Sequence, residues 1–363
     1  MIILGSTGSI GVNALDICER EGIEIECLCG GSNAALLNSQ IKKFKPKIIC
    51  IADGSQMSKI EHLGADVFCG DSGILMAIRE SKSTLALNAI VGFAGLAPTL
   101  ECIKTGKKVA LANKESLVAA GKFIDPSKII PVDSEHFALW YLNKSNVKIK
   151  KMTITASGGA LRDTQISDIY ASSVKDVLKH PNWAMGRKIT VDSATMVNKL
   201  FELIEARWLF GKNISYDAIV ETSSTIHAMI DFEDGVTTAQ MSEPDMRLPI
   251  SYALLGKATS GLFRPIDLLK LKSLEFRAID ESRYPVWRLK DALLGNPSSA
   301  LVLNAANEVA VDAFLNERIA FGEIANIILD AYKKFSVFEP SSTDEVFAVD
   351  LEVRNYARSR IKT

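Results

Sequence analysis

The sequence predicts an α/β protein that begins with a parallel β-sheet, continues into an α+β region and ends in helices. Up to about residue 145, short apolar runs alternate with amphipathic helical patterns, which is typical of a parallel sheet covered on both faces. A glycine-rich turn follows the first apolar run directly. After residues 148–151 this alternation stops, and from Asp291 onward the pattern is helical.

The elements can be predicted in chain order from the period of their apolar residues. Predicted strands of the first region are 1–4, 23–29, 47–51, 66–69, 85–91, 108–112 and 128–132, with helices at 11–20 and 34–44. Predicted strands of the central region are 152–156, 188–191, 218–220, 226–232 and 236–241, with a helix at 198–209 that Gly211 ends. The last predicted helices are 299–316, 321–335 and 350–361.

The turn after the first strand has the sequence GSTGSIG at residues 5–11 and opens a helix. A dinucleotide fingerprint needs this context, because glycine lets the backbone approach a pyrophosphate and the helix N-terminus offers free N–H groups. The G-x-x-G-x-x-G spacing is looser than G-x-G-x-x-G, and a glycine-rich turn of another α/β protein would look the same. The end of the second strand, CGGSN at residues 29–33, lacks the acid that binds an NAD ribose, which favours NADPH.

These patterns predict a four-part organisation of the chain. We expect a Rossmann-like NADPH-binding domain at 1–147, an α+β domain at 148–261, a linker at 262–290 and a C-terminal helical bundle at 291–363. The 363 residues carry 47% hydrophobic and 23% charged residues and a net charge of -1, so no dedicated nucleic-acid binder is predicted.

Targeting signals and cysteine motifs are not found in the sequence. No basic segment precedes the first apolar run, and no run reaches the ~20 apolar residues of a membrane span, so a cytoplasmic protein is predicted. The six cysteines form no C-x-x-C pair and are predicted to be small buried apolar side chains.

Acidic side chains predict a metal site. Asp133 and Glu135 follow the strand 128–132, and in an extended chain residues i and i+2 point the same way. Two converging carboxylates need a cation or a proton between them, and oxygen ligands suit Mg²⁺ or Mn²⁺. Asn198, Glu202 and Glu205 lie at i, i+4 and i+7 of a predicted helix, which could supply a third carboxylate. A solvated acidic surface is the alternative.

Anion-binding features lie in the central region. Ser157-Gly158-Gly159 follows a strand and could form a nest of backbone N–H groups, while Ser193, Asn198 and Lys199 are predicted near a helix start. The loop HPNWAMG at 180–186 carries Trp183 and Met185 among polar residues, which on composition alone favours a core plug over a lid. Lys114 follows another strand end and could be an ordinary surface lysine.

Together these segments resemble the 1-deoxy-D-xylulose 5-phosphate reductoisomerase family along nearly the whole chain. The matching segments are GSTGSIG at 5–11, LANKES at 111–116, VDSEH at 132–136, SGG at 157–159, HPNWAMGRKITVDSATMVNK at 180–199, IEARWLF at 204–210, EPDMR at 243–247 and LNAANE at 303–308. The resemblance implies NADPH-dependent rearrangement and reduction of deoxyxylulose phosphate to 2-C-methyl-D-erythritol 4-phosphate in the non-mevalonate isoprenoid pathway. It also implies a homodimer, makes 148–261 the catalytic and dimerisation domain with a lid loop, and implies sensitivity to fosmidomycin-type hydroxamates.

The resemblance also implies roles for individual residues. It makes Asp133, Glu135 and Glu202 ligands of Mg²⁺ or Mn²⁺, with Co²⁺ as a further candidate. The implied catalytic residues are Lys114, Glu135, Glu202 and His180. The implied substrate-binding residues are Lys114, Ser134, Glu135, Ser157, His180, Ser193, Asn198, Lys199 and Glu202. The implied NADPH site comprises Thr7, Gly8, Ser9, Ile10, Gly31, Ser32, Asn33, Asn113, Glu115 and Gly186, and Trp183 and Met185 become lid residues. Glu205 is a candidate for assisting proton movement.

Two positions depart from the family pattern. Ser32 stands where members often carry a basic residue, which predicts a weaker hold on the 2′-phosphate, and residues 222–225 read TSST where many members read HPQS. The start of the chain just before the fingerprint leads us to expect a bacterial form without a transit peptide.

Two other classes of NAD(P)-binding protein would share the predicted first domain. A two-domain NAD(P) oxidoreductase of the homoserine or dihydrodipicolinate reductase type would share the first domain but needs no set of three carboxylates. A redox-sensing regulator would need a DNA-binding module or a basic stripe, and the sequence has neither.

Overall fold

The computed structural model describes residues 1–183 and 185–361. Two predictions extend beyond these residues. The predicted lid loop contains Ala184, and the predicted C-terminal domain ends at 363, so these positions lie outside the described residues.

The first part of the chain alternates strands and helices as predicted. Its strands are β1 (Ile2–Leu4), β2 (Cys27–Gly30), β3 (Ile48–Ile51), β4 (Asp66–Cys69), β5 (Leu85–Asn88), β6 (Lys108–Leu111) and β7 (Ile129–Pro131). Its helices are α1 (Ser9–Arg20), α2 (Ala34–Phe44), α3 (Gly70–Glu80), α4 (Leu96–Lys104), α5 (Lys114–Ala120) and α6 (Ser134–Leu142). All seven predicted strands exist, and each differs from its prediction by a few residues at most.

The seven strands form one parallel sheet in the order β4-β3-β2-β1-β5-β6-β7. The chain runs outward from β1 to one edge and then returns to β5 on its other side, so the order reverses between β1 and β5. In open α/β sheets this switch point, at the carboxyl ends of the strands, is where ligands bind. The turns after β1, β2, β6 and β7 therefore carry the candidate residues to one edge.

The second part of the chain builds a mixed sheet surrounded by helices. Its strands are β8 (Ile149–Ala156), β9 (Ser215–Glu221), β10 (Ile226–Phe232), β11 (Thr237–Met241) and β12 (Phe276–Arg277), in the order β11-β10-β8-β9-β12. Its helices are α7 (Ile166–Ile169), α8 (Val174–Val177), α9 (Arg187–Thr195), α10 (Val197–Phe210), α11 (Arg247–Leu255), α12 (Leu268–Leu271), α13 (Lys290–Gly295), α14 (Ala300–Leu315), α15 (Phe321–Phe335) and α16 (Thr343–Arg360). Only β8 and β9 are parallel.

One predicted strand is wrong. Residues 188–191 are predicted to be a strand, but they lie in helix α9. Every residue of this helix from 190 to 195 is buried, so it is enclosed on all sides. Burial in the packed unit outweighs the weak strand propensity of Ile189, Thr190 and Val191.

The geometry expected around Asp133 is also different. Asp133 and Glu135 would point the same way in an extended chain, whereas α6 begins at Ser134 and places Glu135 in its first turn. The backbone N–H of Ser134 donates to Asp133 Oδ1 at 3.0 Å. Asp133 therefore precedes the helix, and Glu135 belongs to it.

Contacts between residues divide the chain into two compact units. The first unit comprises Met1–Ser116, Ile124–Ser134 and Asp245–Arg264, and the second comprises Leu117–Phe123, Glu135–Pro244 and Pro265–Thr363. Helix α11 belongs to the first unit, where Ile250 and Ala253 join its apolar core and Arg247 lies 3.5 Å from Asp16. The four-part division at 147, 261 and 290 stays a prediction.

The C-terminal helices contribute much of the core of the second unit. Helix α14 buries Leu301, Val302 and Leu303 completely, and each such side chain contributes about 1.5–3 kcal/mol by leaving water. The predicted linker holds little regular structure, namely the single turn of α12 and the two-residue β12. The overall α/β class, with a Rossmann-like sheet, a second sheet and a helical C-terminal region, is confirmed.

Five of the six cysteines are buried as expected, but Cys69 is exposed at the end of the edge strand β4. Burial raises the pKa of Cys18 and of Cys102 to about 12, so these thiols stay protonated. Among the described residues, no helix combines the length and the apolar character needed to cross a bilayer.

Candidate active site

The turn after β1 has little room for side chains. Gly5 has φ +83°, and a Cβ there would lie 2.7 Å from the carbonyl oxygen of Ala89. A Cβ on Gly11 would lie 2.3 Å from the carbonyl oxygen of Gly5. Gly5 is therefore required by the neighbouring segment after β5, and Gly11 by the backbone of the turn itself.

Helix α1 presents its N-terminus at this turn. Gly8 is its N-cap and makes no side-chain capping bond, and Gly8 and Ser9 are exposed. Thr7 and Ile10 are half-buried on either side. An exposed helix N-terminus without a side-chain cap fits the pyrophosphate of a dinucleotide, because its N–H groups and dipole favour an anion.

The loop after β2 contains three exposed residues of the predicted cofactor site. The N–H of Gly31 donates to Thr7 Oγ1 at 3.4 Å, which ties this loop to the glycine-rich turn. Asn33 caps helix α2 by accepting from the Leu36 N–H at 3.0 Å. Ser32 lies exposed between them, and its hydroxyl is the polar side chain that this loop offers at the position predicted to face a 2′-phosphate.

Asn113 organises the loop that follows β5. Its amide nitrogen donates to the carbonyl oxygens of Ile90 at 2.7 Å and Gly92 at 2.8 Å, and its oxygen accepts from the Ser116 N–H at 3.0 Å. The same amide nitrogen donates to Glu115 Oε2 at 3.1 Å. Asn113 and Glu115 thus shape the loop at the switch point of the sheet, and their contact with a cofactor stays a prediction.

Lys114 is a buried residue of the first unit and not a surface lysine. Its ammonium lies 2.6 Å from Asp133 Oδ2, and the two side chains are only 7% and 14% exposed. The turns after β6 and β7 therefore bring two predicted site residues together. Ser134, at the start of α6, bonds to Asp133 through its backbone.

In the second unit, two predicted carboxylates converge on one ammonium. Lys199 Nζ lies 2.5 Å from Glu135 Oε1 and also pairs with Glu202 Oε2. Asn198 Nδ2 donates to Glu202 Oε1 at 2.5 Å. The predicted i, i+4 relation of Asn198 and Glu202 is thus present, and the Glu202 carboxylate, 1% exposed, is held from both sides.

This donor set fits a divalent cation. Oxygens of Glu135 and Glu202 already share a single cationic nitrogen, and carboxylate oxygens are the ligands that Mg²⁺ and Mn²⁺ take. Asp133, the third predicted ligand, belongs to the first unit, where it pairs with Lys114.

A buried pair lies behind Glu202 on helix α10. His136 Nε2 donates to the backbone carbonyl of Glu202 at 2.8 Å, and His136 Nδ1 lies 3.2 Å from Glu205 Oε2. Both side chains are at most 1% exposed. His136 therefore joins α6 to the turn of α10 that carries Glu202, and Glu205 points to His136.

Ser157, Ser193 and His180, three of the residues predicted near the phosphate, form a second cluster around the loop after β8. Asn198 and Lys199, which are also predicted there, both contact Glu202, and Lys199 contacts Glu135 as well. Ser157 Oγ lies 2.8 Å from His180 Nε2 and 3.5 Å from Ser193 Oγ. A Cβ on Gly159 would lie 2.6 Å from Ala194 Cα, so this glycine lets the loop approach helix α9. Ser157, Ser193 and His180 come from three separate segments and meet at one point.

The hydrogen bonds of His180 fix its tautomer. Nδ1 accepts from the backbone N–H groups of Asn182 at 3.2 Å and Trp183 at 2.9 Å, so Nε2 carries the proton and donates to Ser157. Burial, followed by the charges of Lys199 and Arg162, lowers the pKa of His180 to about 4. The imidazole is therefore neutral at pH 7 and acts as a donor.

Ser157 is left with a hydroxyl hydrogen to donate. Its oxygen accepts from His180 Nε2 and from the Gly159 N–H at 3.1 Å, which uses both lone pairs. A pocket of donors is the arrangement that an anionic phosphoryl group requires.

The loop with the predicted lid residues is half-buried. The Trp183 ring lies 6.2 Å from the His227 ring in an edge-on arrangement, and Met185 is half-buried. Gly186 is the exposed N-cap of α9. Neither a buried core plug nor a fully exposed loop describes these side chains, and their lid role stays a prediction.

Residues that the sequence did not single out hold this loop. Asn182 Nδ2 donates to the Thr222 carbonyl at 3.0 Å and to Ser224 Oγ at 2.8 Å, so the atypical segment 222–225 anchors the HPNW loop. Arg162 donates to the carbonyls of Ser157 at 2.9 Å and Thr222 at 3.0 Å. The sequence gives no local signal for the contacts of Asn182 and Arg162 with residues 222–224, because these partners lie 40 or more residues away along the chain.

Family models match three consecutive parts of the chain. The model described as 1-deoxy-D-xylulose 5-phosphate reductoisomerase matches residues 1–121, its C-terminal domain matches 129–210, and the DXP reductoisomerase C-terminal domain matches 241–356. A 1-deoxy-D-xylulose 5-phosphate reductoisomerase of Nautilia profundicola is 53% identical, over 99% of both chains. One of Wolinella succinogenes is 52% identical, over 98% of this chain and 99% of the relative.

The chain belongs to the 1-deoxy-D-xylulose 5-phosphate reductoisomerase family.

Solved structures of the family share the fold. A DOX-P reductoisomerase in complex with NADPH, fosmidomycin and magnesium superposes with a TM-score of 0.93 at 33% identity, covering 99% of this chain and 97% of the other. The enzyme of Zymomonas mobilis in complex with NADPH gives a TM-score of 0.89 at 34% identity, covering 100% and 98%. The predicted family, and with it the prediction of an enzyme, is confirmed.

Proposed function

We propose that the chain converts 1-deoxy-D-xylulose 5-phosphate to 2-C-methyl-D-erythritol 4-phosphate with NADPH and a divalent metal ion. The observation that carries the proposal is the convergence of Glu135 and Glu202 on one cationic nitrogen, in a unit that also gathers a donor pocket for phosphate. Relatives at 52–53% identity over almost the whole chain support it, as do related structures that contain NADPH and magnesium.

The ion would be held by carboxylates. Glu135 and Glu202 are two of its ligands and Asp133 is the third, and Mg²⁺, Mn²⁺ and Co²⁺ all take such oxygen donors. A bound divalent ion supplies Lewis-acid stabilisation of the oxyanion that forms when the carbon skeleton rearranges. The chain's own contribution is to hold these carboxylates, through Asn198, Lys199 and the anchoring of the Glu202 backbone by His136.

The phosphate group would bind at Ser157, Ser193 and His180. Neutral His180 and Ser157 present N–H and O–H hydrogens, so the pocket holds an anion by donation. Asn198 and Lys199 are the further predicted phosphate ligands, in the first turn of α10. Lys114 and Ser134 are the predicted contacts to the substrate hydroxyls.

NADPH would bind at the carboxyl edge of the parallel sheet. Gly8 and Ser9 place the N-terminus of α1 at the pyrophosphate, with Thr7, Ile10, Gly31, Ser32, Asn33, Asn113, Glu115 and Gly186 as the other predicted contacts. NADPH supplies the hydride that reduces the rearranged aldehyde. Trp183 and Met185 would close over the substrate and exclude water.

The assembly and the location of the protein are further proposals. We propose a homodimer in the cytoplasm, with no nucleic-acid or membrane partner. Sedimentation velocity of the purified chain tests the dimer, and a monomer at micromolar concentration would contradict it.

The test of the function is NADPH consumption in the presence of deoxyxylulose phosphate. We expect turnover with Mg²⁺, Mn²⁺ or Co²⁺, and its loss when a chelator removes the metal ion. Unphosphorylated 1-deoxy-D-xylulose is the matched control and should be a far poorer substrate because it leaves the donor pocket empty. NADH in place of NADPH tests the loop at Ser32. An equal rate without metal, or a preference for NADH, would contradict the corresponding part of the proposal.

A further inference from the structure

Helix α9 carries a buried carboxylate that the proposed chemistry does not use. Asp192 is 2% exposed and lies one residue before Ser193 of the phosphate pocket. Its Oδ2 pairs with Lys188 Nζ at 2.8 Å, one turn earlier on the same helix. Its Oδ1 accepts from Asn307 Nδ2 at 2.8 Å, which reaches it from helix α14.

Asn307 belongs to the LNAANE segment at 303–308, whose conspicuous polar residues have no part in the proposed site. Asn304 and Asn307 are both fully buried and lie at i and i+3 of α14, on one face of the helix. In the part of the chain that the structure describes, the side chain of Asn304 has no hydrogen-bond partner, whereas Asn307 contacts Asp192. Burying an amide without a hydrogen-bond partner is unfavourable. Of the two asparagines, Asn307 is the one whose side chain links α14 to Asp192 of α9.

Helix α9 is short and receives a directional polar contact from Asn307. It has nine residues, its N-cap Gly186 has no side chain, and residues 190–195 are all buried. Its end is set by Met196, whose φ of +68° separates it from α10. Apolar packing is not directional, so the hydrogen bond from Asn307 adds a preference for one rotation of the helix about its axis.

Fixing Asp192 also fixes Ser193. Successive residues of an α-helix are rotated by about 100°, so a helix turned about its axis would move the Ser193 hydroxyl out of the pocket. That hydroxyl lies 3.4 Å from His180 Nε2 and 3.5 Å from Ser157 Oγ. Asp192 and the phosphate-pocket residue Ser193 therefore lie on two different sides of the same short helix, and a rotation of α9 would move both.

We propose that Asn307 is a positioning residue for substrate phosphate, which it holds in place by fixing Asp192 and thereby the Ser193 hydroxyl. The C-terminal helices thus contribute to substrate affinity without touching the substrate. The inference rests on the proposed role of Ser193 in phosphate binding.

The experiment compares Asn307→Leu with Asn304→Leu in the full-length, metal-loaded enzyme. Both changes remove a buried amide from the same face of α14, but only Asn307 contacts Asp192. We expect Asn307→Leu to raise the KM for deoxyxylulose phosphate and the Kd for inorganic phosphate about tenfold, equivalent to about 1.4 kcal/mol, while the KM for NADPH stays unchanged. Asn304→Leu should leave all three constants as in the wild type.

A second variant covers the case in which Asn307→Leu does not fold. Asn307→Ser is smaller and polar but too short to reach Asp192, and it should give the same selective loss of phosphate affinity. A purely structural role would lower Tm in both Asn307 variants with phosphate affinity unchanged, and that result would overturn the inference. If the wild type itself bound neither phosphate nor substrate, the proposed function would fail instead.

Discussion

Each of the two units buries a lysine beside acidic side chains. In the first unit Lys114 pairs with Asp133, whereas in the second Lys199 pairs with Glu135 and with Glu202. All of these side chains are at most 14% exposed. The second cluster gathers oxygens of two carboxylates around one nitrogen, and such oxygens are the ligands that a divalent cation takes. The metal site is therefore expected to depend most on the second cluster.

The largest effect is expected from Glu202→Gln. Loss of this carboxylate removes a metal ligand from the cluster around Lys199, and we expect kcat to fall at least about a thousandfold, at 1.36 kcal/mol for each factor of ten. Steady-state NADPH consumption measures kcat, and fluorescence titration should show normal NADPH binding. Glu101→Gln, which changes a buried glutamate paired with Arg79 in the first unit, is the control and should retain activity. Wild-type activity in Glu202→Gln would disprove the metal assignment.

A smaller effect is expected when the two lysines are compared directly. Lys199→Ala should raise the KM for deoxyxylulose phosphate about a hundredfold, because charge-assisted hydrogen bonds to phosphate are among the strongest. Lys114→Ala should act mainly on kcat and leave inhibition by inorganic phosphate unchanged. Steady-state kinetics of both variants with phosphate as inhibitor make the comparison. Equal phosphate affinity in the two variants would remove Lys199 from the phosphate site.

The smallest effect concerns His180, whose pKa is lowered to about 4 by burial first and then by Lys199 and Arg162. Lys199→Ala should raise the pKa of His180, whereas Lys114→Ala should leave it unchanged. NMR titration of the His180 ring measures both. If the two variants had the same His180 pKa, the charge of Lys199 would not act on the phosphate pocket.

The same pKa predicts a pH dependence of stability. Between about pH 6.5 and about pH 4 the unfolded chain protonates this histidine and the folded chain does not, so the contribution of His180 to stability is lost as pH falls through that window. Denaturant unfolding at pH 7 and pH 5 should show a smaller loss for His180→Gln than for the wild type. His62→Gln, at an exposed position, is the control and should behave like the wild type.

Local pattern was sufficient for much of the fold and of the site. Near-continuous apolar runs located all seven strands of the parallel sheet, because a strand buried on both faces has few polar residues. The spacing of Asn198 and Glu202 placed them in contact, since residues four apart share a helix face. The glycines at 5, 8 and 11 located the turn, and at Gly5 and Gly11 close backbone contacts leave no room for a Cβ.

Local pattern was insufficient wherever a distant partner decides the structure. The β-branched residues of α9 favour a strand by propensity, and burial of residues 190–195 in the packed second unit overrides it. The same holds for the anchoring of the HPNW loop by residues 222–225, for the burial of Lys114 against Asp133 and for the place of α11 in the first unit.

By itself, then, the sequence determined the order of the elements, the family and most of the residues expected at the site. Only the tertiary structure decided which of these residues meet: Lys199 with two carboxylates, Ser157 with His180, and Asp192 with Asn307. The physical reason is the distance along the chain over which each kind of interaction acts. Periodicity and turn chemistry act over a few neighbouring residues, whereas a buried charge is stabilised by whichever partner the packed core places beside it.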